Sequence, residues 1–194
     1  MKQFVVIVIS YWLLACGEST QTQNQLQPSP DSTQFYPIAS FFENQMTIIP
    51  TMKKNMLIFH TKDGKKDSTL LNATTFQELV KEFIAKDITD GDTKKHYRET
   101  VFQDAATNSY TLSYTAVDTT VTVKGMEILL DEQTNQVKRV FIRTVYRQGT
   151  TSIMEQHNWN TAKGFQIIRS FTNAQGYTTN ELTEVQWEEI KNLE

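Results

Sequence analysis

The chain reads as an α+β protein: a curved antiparallel β-meander of about six to eight strands with two helices packed on one face. Three observations predict it. From Thr93 onward apolar and polar residues alternate with period two, interrupted by short polar turns. Before that point two segments carry the three-to-four-residue periodicity of amphipathic helices. Connections as short as those after Thr93 join antiparallel neighbours, because a parallel return needs a long crossover.

The first helix is expected from Pro37 to about Met52, with Ile38, Phe41, Phe42, Gln45, Ile48, Ile49 and Met52 toward the core. Pro37 suits a first turn, where its missing N–H costs nothing, and Pro50 implies a break near the end. The second is expected from Thr75 to Asp87. Phe76, Leu79, Val80, Phe83 and Ile84 form one apolar stripe there. Thr75-Phe76-Gln77-Glu78 has the spacing of a capping box, with Thr75 as N-cap, and Asp90-Gly91-Asp92 ends the element. Between the helices, Met56 to His60 and Ser68 to Leu71 read as short strands around a turn at Lys62 to Lys66. Further strands are expected at about 95–104, 108–117, 120–131, 136–147, 151–159 and 164–172.

Faces follow from register. If Gln148-Gly149 closes the hairpin after 136–147, residues whose numbers sum to 297 face each other, which sets Thr144 opposite Ile153 and Ile142 opposite Glu155. Val140, Ile142, Ile153 and Trp159 then share one face, the better candidate for the core. Arg139, Arg143 and Arg147 share the other with Phe141, Val145 and Met154, the arginines about 13 Å apart at about 3.3 Å per residue. Two readings of this row stand side by side. In one, Arg139, Phe141, Arg143, Val145 and Arg147 form a binding face, guanidinium groups holding phosphate or carboxylate beside an apolar strip. In the other, arginine stems merely cover Phe141 and Val145 while their heads pair with neighbouring acids.

The N-terminus carries the most specific signal. Lys2 precedes an apolar run from Phe4 to Leu14 that only Ser10 interrupts. That run is far shorter than the roughly 20 residues of a membrane-spanning helix, so it reads as a cleavable signal. Leu13-Leu14-Ala15-Cys16 follows and resembles the lipobox of bacterial lipoproteins. The resemblance implies removal of residues 1–15 and acylation of Cys16, which becomes the first residue of the mature chain, so a covalent lipid is the one non-protein group expected. The alternatives are an ordinary secretory signal with a cysteine near its cleavage site, or a buried free thiol. A lone cysteine has no disulfide partner within the chain. Gly17-Glu18 lack the aspartate that retains many lipoproteins at the inner membrane, which resembles the outer-membrane class, and because no dense acidic run follows the cysteine the anchor is expected to face the periplasm rather than the cell surface.

Residues 16–34 are expected to hold the anchor and a disordered tether. The stretch is rich in Ser, Thr, Gln and Asn, with Pro28, Pro30 and Leu26 as its one aliphatic residue, too little apolar surface to offset the entropy of ordering. Extended, it would reach about 60 Å at about 3.4 Å per residue. Residues 35–194 then form a single globular domain by length, and 39% hydrophobic residues are enough for a real core.

Composition narrows function more than it names it. The net charge of −3 becomes more negative once Lys2 leaves, and there is no basic patch with interleaved aromatics, so nucleic acid is not an expected partner. His60, His96 and His157 form no His-x-His or His-x-x-x-His pair. His157 shares a predicted face with Glu155 and Trp159, where a His/Glu site competes with a histidine simply satisfied by a carboxylate. Asp87, Asp90 and Asp92 around Gly91 suggest calcium, but lack the spacing of an EF-hand loop. There is no Gly-x-Ser-x-Gly elbow and no glycine-rich phosphate loop. Asp31-Ser32-Thr33, Asp67-Ser68-Thr69 and Asp118-Thr119-Thr120 resemble an O-glycosylation signal of some envelope proteins.

Two function classes are left. One is a lipid-anchored, non-enzymatic module that binds an envelope protein or scaffolds the envelope. The other is a carrier or sensor of a hydrophobic ligand held between sheet and helices. In element order it is similar to the outer-membrane lipoprotein receptor and carrier family, in which a half-open antiparallel barrel holds acyl chains under helices.

Overall fold

A computed structural model describes residues 34–52 and 54–189. The signal peptide, Cys16 and all but the last residue of the tether lie outside the described residues. The order is α1 (Ile38–Ile48), a 3-10 turn (Ile49–Thr51), β1 (Lys54–Lys62), β2 (Lys65–Leu70), α2 (Ala73–Ile84) and a one-turn α3 (Gly91–Lys94). Seven strands follow: β3 (Tyr97–Asp104), β4 (Ser109–Ala116), β5 (Val123–Asp131), β6 (Val137–Gln148), β7 (Thr151–Asn160), β8 (Gly164–Thr172) and β9 (Thr178–Glu189).

All nine strands form one antiparallel sheet in the order β2-β1-β9-β8-β7-β6-β5-β4-β3. The fold is therefore α+β with a meander, as the alternation predicts, plus a strand the sequence reading does not contain. β9 pairs with β8 on one side and with β1 on the other, so the last strand ties the first hairpin to the meander. β2 and β3 are the edges and the sheet does not close. Register shifts between Val123 and Gly125 and between Leu129 and Leu130 interrupt the β5–β6 ladder. Such irregularities bend and twist a sheet that has few glycines to do so.

The helices cover one face. Phe42 from α1 and Phe83 from α2 meet Trp159 of β7 at centroid distances of 5.2 and 5.3 Å, and Trp159 stacks on Phe165 of β8 at 5.0 Å. Phe42, Phe83 and Trp159 are fully buried. Each such side chain contributes about 1.5–3 kcal/mol on removal from water. The rings occupy the space between helix layer and sheet.

Three local expectations change. The cap of α2 is Asn72, whose Oδ1 accepts from the Thr75 N–H at 2.9 Å, so the helix begins ahead of Thr75. Its end is earlier too: Lys86 N–H and Asp87 N–H bond to the carbonyls three residues back, which closes the helix after Ile84. At the end of α1 the tighter Ile49–Thr51 turn carries Ile49 inward and leaves Ile48 and Met52, expected in the core, partly exposed.

The β6–β7 turn falls at Gly149-Thr150, so facing residues sum to 299 rather than 297: Thr144 faces Glu155 and Ile142 faces His157. Both sums are odd, so every face assignment survives the slip. Val140, Ile142, Thr144, Ile153 and Trp159 are buried on the helix side.

Candidate functional site

The sheet has two chemically different faces. On the outer one, which carries neither α1 nor α2, β6 presents Arg139, Phe141, Arg143, Val145 and Arg147 as the alternation predicts. The three arginines are exposed, with Phe141 and Val145 half-buried between them. Among the described residues none of the three takes part in an ion pair. Their charge is thus left for solvent or a partner. Met154 of β7 lies beside Val145.

The same face holds a groove of about 420 Å³ across β6 to β9, lined by Arg139, Asn158, Asn160, Gln166, Glu184 and Gln186 among others. Register explains it. Arg139 pairs with Asn160, Asn160 with Gly164 and Gly164 with Gln186, so the row has a position with no side chain at its centre. Gly164 has φ +146°, and a Cβ built there would lie 1.9 Å from the Val185 carbonyl oxygen. Glycine is therefore required by both the backbone and the space.

The inner face holds a buried charge cluster at the C-terminal end of α2. Glu155 Oε2 accepts from Lys86 Nζ at 3.0 Å and from Thr144 Oγ1 at 3.2 Å; its Oε1 accepts from Arg169 Nε at 3.1 Å and from the Tyr146 hydroxyl at 3.3 Å. Arg169 also bonds Glu82 of α2. Burial pushes the Glu155 carboxyl up, but Lys86, His157 and Arg169 more than offset this, and it titrates at about 2. Glu82 is likewise raised by burial, yet the facing His157 ring and Arg169 bring its net shift below the usual carboxylate range. Across the sheet the row continues, Arg169 facing Glu181 of β9 and Glu181 pairing with Lys62 of β1 at 2.6 Å. Charges alternate from β7 to β1.

His157 is fully buried against the edge of the Phe83 ring. The structure does bring Glu155, His157 and Trp159 to one face, but the carboxylate nearest His157 is Glu82, at 3.8 Å from Nε2. That is beyond hydrogen-bond length, and neither ring nitrogen has a hydrogen-bond partner among the described residues. Glu155 is fully engaged by two cations and two hydroxyls, an arrangement that fixes α2 to the sheet. Around α3 the acids turn to their own backbone and neighbours: Asp87 accepts from Thr89, Asp90 from the Asp92 N–H, and Asp92 pairs with Lys95. Among the described residues no three His, Cys, Asp or Glu side chains come together as metal ligands would.

Sequence reasoning finds the arginine row but misses the groove and the cluster. The groove needs the partners of Gly164, and the cluster draws on α2, the segment after it and three strands. No known family, no curated protein and no solved structure matches this chain. No helix among the described residues is long and apolar enough to cross a membrane.

Proposed function

We propose that the protein is a lipid-anchored component of the bacterial cell envelope, held in the outer membrane by acylated Cys16 and facing the periplasm, and that it acts as a non-enzymatic binding or scaffolding module. The observation that carries this reading is the asymmetry of the sheet: two helices seal one face, while the other keeps three arginines that have no ion-pair partner among the described residues beside Phe141 and Val145. A fold needs only one covered face for its core, so the open face is available for recognition.

The attachment geometry supports the same reading. The Tyr36 N–H donates to the Tyr114 hydroxyl at 3.0 Å, and Phe35 packs on the Tyr114 ring. The chain thus enters the domain on the helix-covered side, opposite the arginine row. The carrier alternative asks for an apolar space between helices and sheet, where Phe42, Phe83, Trp159 and Phe165 are packed together.

The test has two arms. Cys16→Ser removes lipid labelling and releases the protein from the membrane fraction; retention in that fraction overturns the anchor. Replacing Arg139, Arg143 and Arg147 together by Gln leaves the melting temperature within the scatter of ordinary surface substitutions and abolishes recovery of an envelope partner crosslinked to the parent protein. Unchanged recovery overturns the role given to this face.

A further inference from the structure

We propose that the Gly164-centred groove on the outer face is a binding site for a neutral, hydroxyl-rich saccharide chain. The inference rests on reading this face as a recognition surface and names what one part of it takes.

Three features carry it. The first is shape. The row of Asn158, Gln166 and Glu184 stands on one side of the gap at Gly164 and the Ala162-Lys163 turn on the other, and the resulting trough of about 420 Å³ runs across strands rather than along them. From β6 to β9 it spans about 14 Å at about 4.8 Å per strand, the scale of a short oligosaccharide.

The second is the balance of donors and acceptors. Asn158, Asn160, Gln166 and Gln186 each carry an amide, which offers two donor hydrogens and an acceptor oxygen. Gln166 Nε2 and Gln186 Nε2 both donate to Glu184 Oε1, at 3.1 and 2.9 Å, so Glu184 orients these two amides and leaves their carbonyl oxygens turned to accept. Asn160 spends its Oδ1 on the Ala162 N–H, leaving its NH₂ to donate. The side-chain amide of Asn158 has no hydrogen-bond partner among the described residues. Arg139 adds further donors. Interleaved donors and acceptors match hydroxyls, which are both at once. Arg139 and Lys163 bring two positive charges to the lining, but an anion drawn to them would still meet the Glu184 carboxylate between the two glutamine amides, and an acyl chain would bury these amides unpaired at a cost.

The third is position in the sheet. An extended peptide gains most by adding to a strand edge, where backbone groups are free. The groove lies over β6 to β9, all interior strands whose backbone is already paired on both sides. Recognition here must run through side chains.

The experiment is isothermal titration calorimetry of the full-length lipidated protein in a zwitterionic, sugar-free detergent against maltohexaose, cellohexaose, mannohexaose and chitohexaose, with heparin and a Gly-Ser hexapeptide as further probes. At least one neutral oligosaccharide binds. Asn158→Ala and Gln186→Ala each weaken that binding about fivefold and together more than tenfold, from the loss of ordinary hydrogen bonds; Thr100→Ala on the same face leaves it unchanged. Binding that ignores the Asn158 and Gln186 substitutions overturns the site. So does binding confined to heparin or to the peptide. Absence of all oligosaccharide binding, with an arginine-dependent envelope partner still recovered, removes the saccharide site and leaves the wider reading intact; absence of both removes the wider reading as well.

Discussion

Lys86 Nζ lies 3.0 Å from Glu155 Oε2, and that contact joins the turn after α2 to the middle of the nine-stranded sheet. Glu155 is almost fully buried and holds Arg169 by its other oxygen. Replacing Glu155 by Ala strands Lys86 and leaves Arg169 with Glu82 alone, both over an apolar layer. Removing one partner from a buried pair costs about 3–5 kcal/mol; because Lys86 and Arg169 keep partial solvent access, the lower end applies. Urea denaturation of Glu155→Ala against the parent measures it, and a loss under about 1 kcal/mol would show that the cluster does not hold α2 in place.

The same carboxylate makes stability depend on acid. Its folded value of about 2 lies below the ordinary 4.5, so the folded state holds its proton less tightly than the unfolded chain. The contribution is complete above pH about 4.5 and disappears as pH falls toward about 2. Melting temperature followed from pH 6 to pH 2 drops for the parent protein. In Glu155→Gln the drop is shallower, because the group that titrates is gone. Parallel curves for the two proteins would reject the assignment.

Asn72 and Thr75 make opposite predictions about where α2 begins. The Asn72 side chain satisfies the Thr75 N–H, so Asn72→Ala leaves that donor without its cap and costs about 1 kcal/mol. Thr75→Ala removes no cap and costs a few tenths at most. Chemical denaturation of the two variants separates the cap seen in the structure from the capping box suggested by Thr75 and Glu78.

These cases show what kind of information the sequence holds. Face assignment is a matter of parity, and parity survives a turn displaced by one residue; hence Val140, Ile142 and Trp159 are inside and Arg139, Arg143 and Arg147 outside, although no facing pair on β6 and β7 is the expected one. Helix ends are decided by single hydrogen bonds among several plausible caps, and there the stripe of Phe76, Val80 and Phe83 is silent. β9 escapes notice because Glu181 and Thr183 share the inner face with Val185 and Trp187, so only its second half alternates clearly. The groove and the charge cluster depend on which strands are neighbours, β8 with β9 and α2 over β7, and no local pattern encodes that.

Gly164 is the position where one atom decides most. A Cβ would lie 1.9 Å from the Val185 carbonyl oxygen, and φ +146° is a conformation that side-chain-bearing residues avoid. Gly164→Ala forces either the β8 backbone or β9 to move. Strained backbone alone accounts for about 1–3 kcal/mol, and the overlap adds to it. The predicted result is a melting temperature lowered by several degrees, with β8–β9 amides exchanging faster than those of β4–β5 by hydrogen-exchange mass spectrometry. Uniformly unchanged exchange would mean that the sheet accommodates the methyl without yielding.

β9 bonds to β1 and β8 at once and buries Val185 and Trp187, so it is the only element among the described residues that hydrogen-bonds the β1–β2 hairpin to the rest of the sheet. Ending the chain before Thr178 therefore removes two ladders and uncovers Ile58 and Phe165, which face Val185 from either side. Such a loss exceeds what a domain with roughly 5–15 kcal/mol of net stability tolerates. The truncated protein should lose its cooperative thermal transition and become sensitive to limited proteolysis throughout β1 to β8. A cleaved hairpin with an intact, cooperatively melting β3–β8 remainder would instead show that the meander stands without its last strand. The single strand order running from β2 through β9 to β3 predicts the first outcome, because α1 and α2 pack on rows that β9 completes.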